Sequence, residues 1–205
     1  MKIIDITHTL SNETPVYPGD YDTSITKRKS LETDGFNSYL LQSCLHTGTH
    51  IDMPMHFTND YRFASDFPAG TFIGSGLLID ARGEKKIGMK PGYESMVKTD
   101  DIVIIYTGFC ERYREREYFT GYPAVTDELR DFFITKKIKI LGTDTPSPDY
   151  FPFETHKELL GNGIFILENL ANLAELSEYK DFEVIALPLK IAAEGSFVRA
   201  VCKII

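Results

Sequence analysis

Apolar positions along this chain recur mostly with the period of strands, and less often with that of helices. Residues 2–7 alternate well enough for a short strand, and 39–45 form an apolar, β-compatible run. Residues 77–80 predict another short strand. Residues 101–107 contain Ile-Val-Ile-Ile-Tyr, a continuous apolar run of the kind buried on both faces of a sheet. Residues 138–141, 164–167, 184–187 and 197–205 read as the later strands. Between them, Thr126 predicts the cap of a helix reaching about residue 137. Asp127 and Glu128 lie in its first turn, Leu129, Phe132 and Phe133 form its apolar stripe, and two lysines close it. Residues 169–176, with Leu170, Leu173 and Leu176 on one stripe, predict a second helix. Thr155-His156-Lys157-Glu158 has the spacing of a capping box and places His156 in the first turn of a short helix ending at Gly161.

The segments 12–20, 58–72 and 83–92 lack a period and are rich in turn-forming residues, so they read as loops. Residues 111–118 alternate acids and bases around Tyr113, as a solvated helix or loop does. Strands interspersed with fewer helices predict an α/β chain with a mixed sheet. No internal repeat, phosphate-cradling glycine loop or nucleophile elbow interrupts the pattern.

Composition narrows the function. The 205 residues fit one domain spanning 1–205, and 42% hydrophobic with 25% charged residues is ordinary for a globular chain. A net charge of −8 without a basic run argues against nucleic acid and anionic membrane surfaces as partners. Asp5 interrupts the apolar stretch that a signal peptide needs, and no apolar run approaches the ~20 residues of a membrane span, so a cytoplasmic location is expected. Cys44, Cys110 and Cys202 include no CxxC pair, which leaves neither a disulfide framework nor a cysteine zinc site. Cys44 and Cys202 read as buried strand residues.

Chemistry concentrates in residues 46–57, His-Thr-Gly-Thr-His-Ile-Asp-Met-Pro-Met-His-Phe, which hold three of the chain's five histidines. Imidazole nitrogen and carboxylate oxygen are donors that Zn²⁺ and Mn²⁺ accept, so His46, His50 and Asp52 are candidate ligands. An extended chain would part His46 from His50 by roughly 13 Å. Two donors on one ion at about 2.1 Å each lie no more than about 4 Å apart. The backbone must therefore turn between them, with Gly48 free to take positive φ and the hydroxyls of Thr47 and Thr49 able to tie down nearby backbone. Thr-Gly-Thr and Pro54 make a helix the poorer solution. His56, beyond Pro54, is the candidate general acid/base beside a metal-bound water.

The motif His46-x-Gly48-Thr49-His50-x-Asp52-x-Pro54-x-His56-Phe57 resembles the signature of the cyclase-like metal-dependent hydrolases, the family of bacterial kynurenine formamidases (arylformamidases) and isatin hydrolases. The likeness extends to Tyr17-Pro-Gly-Asp, Gly142-Thr-Asp144, His156, Glu168-Asn-Leu, Leu187-Pro-Leu-Lys190 and Val198-Arg-Ala200. The resemblance implies the swivelling β/β/α fold, usually as a homodimer or larger assembly. It also implies two metals: one on His46, His50 and Asp52, the other on bridging Asp52 with His156 and Glu168, and His56 as the acid/base. Zn is the expected ion, one or two per chain, with Mn an alternative. Tyr17, held between prolines, offers a stacking face for a planar substrate. Asp144 offers a carboxylate that could orient a ligand histidine. His8 reads as a loop residue, with a place in a substrate pocket as the other reading.

The expected reaction is hydrolysis of an amide-type C–N bond, as in an N-formyl-arylamine such as N-formylkynurenine, by metal-activated water. Two departures bear on the substrate. Tyr17 stands where a kynurenine formamidase is expected to have tryptophan, and Phe197 where the related segment usually has proline. An isatin-like cyclic amide hydrolase or a cyclase using one Mn is the neighbouring reading, and a metal-binding sensor without catalysis is the reading from another class.

Overall fold

The computed structural model describes residues 1–205. Thirteen strands form. β1 (Ile3–Asp5) opens the chain, and β2 (Ser24–Lys29) pairs with β3 (Ser38–Gln42) in a separate hairpin. β4 (His50–Asp52), β5 (Ile73–Asp80), β7 (Ile102–Tyr106), β9 (Ile140–Thr143) and β10 (Phe165–Glu168) enter the main sheet, as do β11 (Phe182–Ile185), β12 (Gly195–Phe197) and β13 (Val201–Ile204). β6 (Lys86–Ile87) and β8 (Ala124–Val125) form a small parallel pair.

The main sheet has nine strands in the order β1-β13-β11-β5-β7-β9-β10-β4-β12, parallel from β5 to β10 and antiparallel toward both edges. It is strongly curled, and chain connectivity requires this. β12 and β13 stand seven strand spacings apart in the sheet, about 34 Å if it were flat. Only residues 198–200 connect them, a reach of about 13 Å. The edges must therefore approach one another, and the bridge between Thr7 and Leu170, with His8 N donating to Thr49 Oγ1, joins the chain just past β1 to the β10–β4 side.

Side-chain alternation divides the interior in two. On β7, Ile102, Ile104 and Tyr106 enter one core, while Val103 and Ile105 enter the other. The second core is closed by the helix Asp127–Lys136 through Leu129 and Phe133, and by the helix Glu154–Gly161 through Leu159 and Leu160. The predicted cap of the first helix is present, with Thr126 Oγ1 accepting from Leu129 N. In β4, Ile51 faces the first core, so His50 and Asp52 face the side covered by the second helix.

Three expectations are corrected. The run 39–45 is a strand only as far as Gln42, and it lies in the β2–β3 hairpin rather than the main sheet. Tyr39, Leu40 and Leu41 there are exposed, because the hairpin stands off the core. Cys44 is half-buried and outside any strand, whereas Cys202 is buried in β13 as expected. The helix expected over 169–176 shrinks to Leu173–Leu176: Asn169 and Asn172 take left-handed conformations, which asparagine tolerates, and Leu170 N and Ala171 N bond to Thr143 O and Ile6 O.

Candidate metal centre

The first donors come from a turn followed by a strand. Gly48 takes φ 66°, the chain reverses between His46 and His50, and the His50 Nδ1–H donates to Gly48 O at 2.8 Å. Thr49 Oγ1 donates to Asn169 O at 2.6 Å and accepts from His8 N at 2.9 Å, so one of the two expected hydroxyl ties is made. Within β4, alternation puts His50 and Asp52 on one face. The antiparallel register with β10 sets Glu168 directly opposite His50 and diagonal to Asp52. His156 arrives from the first turn of the helix Glu154–Gly161, packed over that face.

The donor atoms converge. His46 Nδ1 lies 2.7 Å from Asp52 Oδ1, and His50 Nε2 lies 3.4 Å from the same oxygen and 3.3 Å from Glu168 Oε2. His156 Nε2 lies 3.1 Å from Glu168 Oε1 and 3.7 Å from Asp52 Oδ2. Donors sharing a tetrahedral ion are expected at about 3.4 Å from one another. Two triads bring their donors within 4.8 Å: His46 with Asp52 and His56, and His50 with Asp52 and Glu168. Asp52 is common to both, as a bridging carboxylate would be, but the triads divide the other residues differently from the expected split.

Electrostatics favour a cation here. Burial opposes charge on His46, but Asp52 and then Glu194 outweigh it and raise the ring to about 9. Burial likewise opposes charge on His50 and His156. Asp52 and Glu168 nevertheless raise the first to about 10, and Asp149 and Glu168 raise the second to about 10. Burial also works against the Asp52 carboxylate, yet His46 and His50 hold it well below the usual carboxylate range. Two buried polar atoms, His50 Nε2 and Asp52 Oδ2, have no hydrogen-bond partner. Orphaned buried groups are destabilising, and a divalent cation between them would satisfy both. The donor set therefore fits such an ion.

The sign of these shifts predicts a pH response of the metal-free protein. Its raised imidazolium pKa values stabilise it fully below about 6.5, and the contribution is lost as pH rises through about 9 to 10. Chelator-treated protein is expected to lose several degrees of Tm between pH 6 and pH 10 relative to metal-loaded protein. Parallel Tm profiles would contradict the account.

Each ligand candidate has its outward nitrogen occupied: His46 Nε2 by Glu194 Oε1 at 3.3 Å, His50 Nδ1 by Gly48 O, and His156 Nδ1 by Asp149 Oδ1 at 2.6 Å. The Asp144 expectation is corrected. Asp144 accepts from Thr107 N, Thr107 Oγ1 and Gly108 N and binds down that loop. Asp149 takes the orienting role on His156 instead. It also accepts from Thr155 N and His156 N, and so performs the capping expected of Thr155, which itself lies inside the helix.

His56 differs from the other three. It ends the one-turn 3-10 helix Pro54–His56, stacks on His46 with ring centroids 3.9 Å apart, and makes no side-chain hydrogen bond. Burial, aided by His46 and His156, pushes it down to about 4 against the pull of Asp52, so the ring is neutral at pH 7. It borders a cavity of about 270 Å³ that also reaches Asp52, Glu168 and His156 and is walled by Tyr17, Phe57, Phe119 and Phe153. Tyr17 stands at the rim, edge-on to Phe119 at 5.6 Å. His8 lies outside this cavity, stacked on Tyr113 at 3.6 Å.

The Cyclase family model matches residues 4–150 of this chain. A kynurenine formamidase of Bacillus cereus is 33% identical over 98% of this chain and 96% of the relative, and one of Bacillus cytotoxicus is 31% identical over the same shares. The chain belongs to the Cyclase family. Among solved structures, isatin hydrolase A from Labrenzia aggregata bound to benzyl benzoate matches this Cyclase-family chain with a TM-score of 0.87 and 27% identity, covering 98% of this chain and 93% of that one. This Cyclase-family chain is a hydrolase, and its donor set fits a divalent metal. His156 and Glu168 fall beyond the matched residues 4–150, and it is the β4–β10 register and the helix above it that bring them to Asp52.

Proposed function

We propose that the protein hydrolyses the amide-type C–N bond of an N-formyl-arylamine, N-formylkynurenine being a substrate of that class, with His46, His50, Asp52, His156 and Glu168 as metal ligands and His56 as general acid/base. The observation carrying this reading is the placement of His56: free of side-chain hydrogen bonds, stacked on His46, and opening on an aromatic-walled cavity beside the donor cluster. A divalent ion supplies water activation near neutral pH and Lewis acidity toward the amide carbonyl.

The chain's own groups perform the rest. Tyr17, Phe119, Phe57 and Phe153 accept a planar aryl group and shield it from bulk solvent. The free imidazole of His56 takes a proton from the attacking water and returns it to the departing amine nitrogen, so arylamine and formic acid form without net proton uptake by the ring, and the acid loses its remaining proton to solvent as formate. Zn²⁺ is the proposed ion on these nitrogen and oxygen donors, one or two per chain, with Mn²⁺ the alternative. A homodimer belongs to the same reading. An isolated two-stranded hairpin is marginal in water, and β2–β3 exposes Tyr39, Leu40 and Leu41, an apolar surface suited to a second copy.

The likeness to an isatin hydrolase favours a second reading, opening of a fused lactam at the same centre. Elemental analysis of the purified protein, with a panel of N-formyl-arylamines and cyclic lactams, separates the two. One or two equivalents of Zn and formate release from the formyl compounds are expected. Turnover confined to lactams would replace the first reading with the second, and metal without any turnover would favour a sensor.

A further inference from the structure

His46 is held differently from the other imidazoles of the cluster. His50 is tied to a carbonyl of its own turn, and His156 is tied to a carboxylate that also caps its helix. His46 lies in a turn outside any strand or helix, and its ring is half-buried. What fixes it comes from 148 residues further along, where β12 pairs with β4 and sets Gly195 opposite Asp52. Met53 N donates to Glu194 O at 2.9 Å, which pins residue 194 to the metal-motif strand.

Two features then act on the ring together. A Cβ at residue 195 would lie 2.6 Å from His46 Cε1 and 2.9 Å from Nε2, so only glycine lets the strand backbone lie against that imidazole. Glu194 Oε1 stands 3.3 Å from His46 Nε2, on the ring edge opposite the one that faces Asp52. His56 stacks on the ring at 3.9 Å. With a glycine wall, a stacked ring and a carboxylate at the far nitrogen, a His46 that binds an ion would keep its proton on Nε2, facing Glu194, and turn its Nδ1 lone pair toward the Asp52 side.

We infer that Glu194, with the close approach allowed by Gly195, is the positioning residue for His46 and sets the affinity of the metal equivalent that His46 helps to hold. The inference rests on the proposed metal centre and adds to it a residue outside the histidine motif. Glu194 touches no ligand atom directed at the ion; it acts through the orientation and basicity of His46.

The test is metal affinity by chelator competition, with Zn²⁺ as the probe, on full-length wild type and the variants E194A, E194Q and G195A. Loss of an outer-sphere partner typically weakens binding about 10- to 100-fold. E194A and G195A are expected to weaken one equivalent by that factor. E194Q, which keeps an acceptor oxygen without its charge, is expected to fall between E194A and wild type. The metal-free Tm of E194A is expected to stay within about 2 °C of wild type, as for a partly exposed side chain, so weaker binding would not be a folding defect. Visible absorption of the Co²⁺-loaded protein is expected to shift in E194A. E194A binding within threefold of wild type overturns the inference alone, as does weakening that appears only with a lowered metal-free Tm. A wild type that binds no Zn²⁺ overturns both the inference and the proposed metal centre.

Discussion

Replacing His56 with alanine is expected to lower kcat by about 10²- to 10⁴-fold, the range that a positioned general acid/base contributes, while the protein keeps its metal. The expectation follows from how differently the four imidazoles at the centre are engaged. His46, His50 and His156 each place one nitrogen against a carbonyl or carboxylate and the other against the Asp52–Glu168 pair, and those carboxylates raise all three. His56 has no such partner, and burial lowers it to about 4. A neutral, unbonded ring has a free nitrogen to accept a proton from water, and the imidazolium so formed can return it to the leaving group. Because His56 lies within 4.8 Å of His46 and Asp52 donors, it could instead be a ligand, and the two roles give different results. An acid/base loses kcat with little change in KM or in metal per chain. A ligand loses metal and turnover together, so metal-free H56A protein would overturn the assignment. H56Q, which restores much of the volume against His46 and Phe57, is expected to be as slow as H56A. Turnover within tenfold of wild type in either variant would remove His56 from the chemistry.

Local features of the centre were legible in the amino-acid sequence, and tertiary ones were not. The turn at Gly48 follows from the distance that one shared ion allows between His46 and His50, and the structure has it. The capped helix over 126–137 and the twice-buried strand of Ile102–Tyr106 follow from period and end signals. The apolar run 39–45 misled because apolar character does not distinguish a sheet strand from an exposed arm, and the partner that decided it, Ser24–Lys29, is polar. His156 and Glu168 came from family likeness because their meeting depends on strand register, which no local pattern encodes. Asp149 was missed for a related reason. It lies seven residues before His156, outside capping-box spacing, and it reaches Thr155 N and His156 N only because the intervening chain loops back. Asp144 was the more conspicuous carboxylate, following a strand directly, yet its oxygens are taken up by Thr107 and Gly108. Glu194 and Gly195 had no local signal at all. Their place beside His46 depends on the pairing of β12 with β4, a long-range register that no local pattern encodes.

The same geometry makes Asp52 the residue whose loss is expected to do the most damage. Its Oδ1 faces both His46 and His50, its Oδ2 faces His156, and it belongs to both donor triads. Asp52→Asn preserves shape but removes the charge, so it isolates the electrostatic contribution. With the ion present, a carboxylate shared by two positions is lost from both, and affinity for every equivalent is expected to fall further than the 10- to 100-fold typical of an outer partner. With the ion absent, burial still opposes charge on His46 and His50, and the counter-charge that held their protons is gone. Breaking a buried ion pair from one side is destabilising by about 3–5 kcal/mol, which for a chain of this length is a fall in Tm on the order of 10 °C. Metal content per chain at a Zn²⁺ concentration that saturates wild type, together with the metal-free Tm at pH 7, gives both readings from one preparation. Loss of a single equivalent with the other bound at wild-type strength would show that Asp52 does not bridge. An unchanged metal-free Tm would show that the histidine cluster does not depend on this carboxylate for its charge.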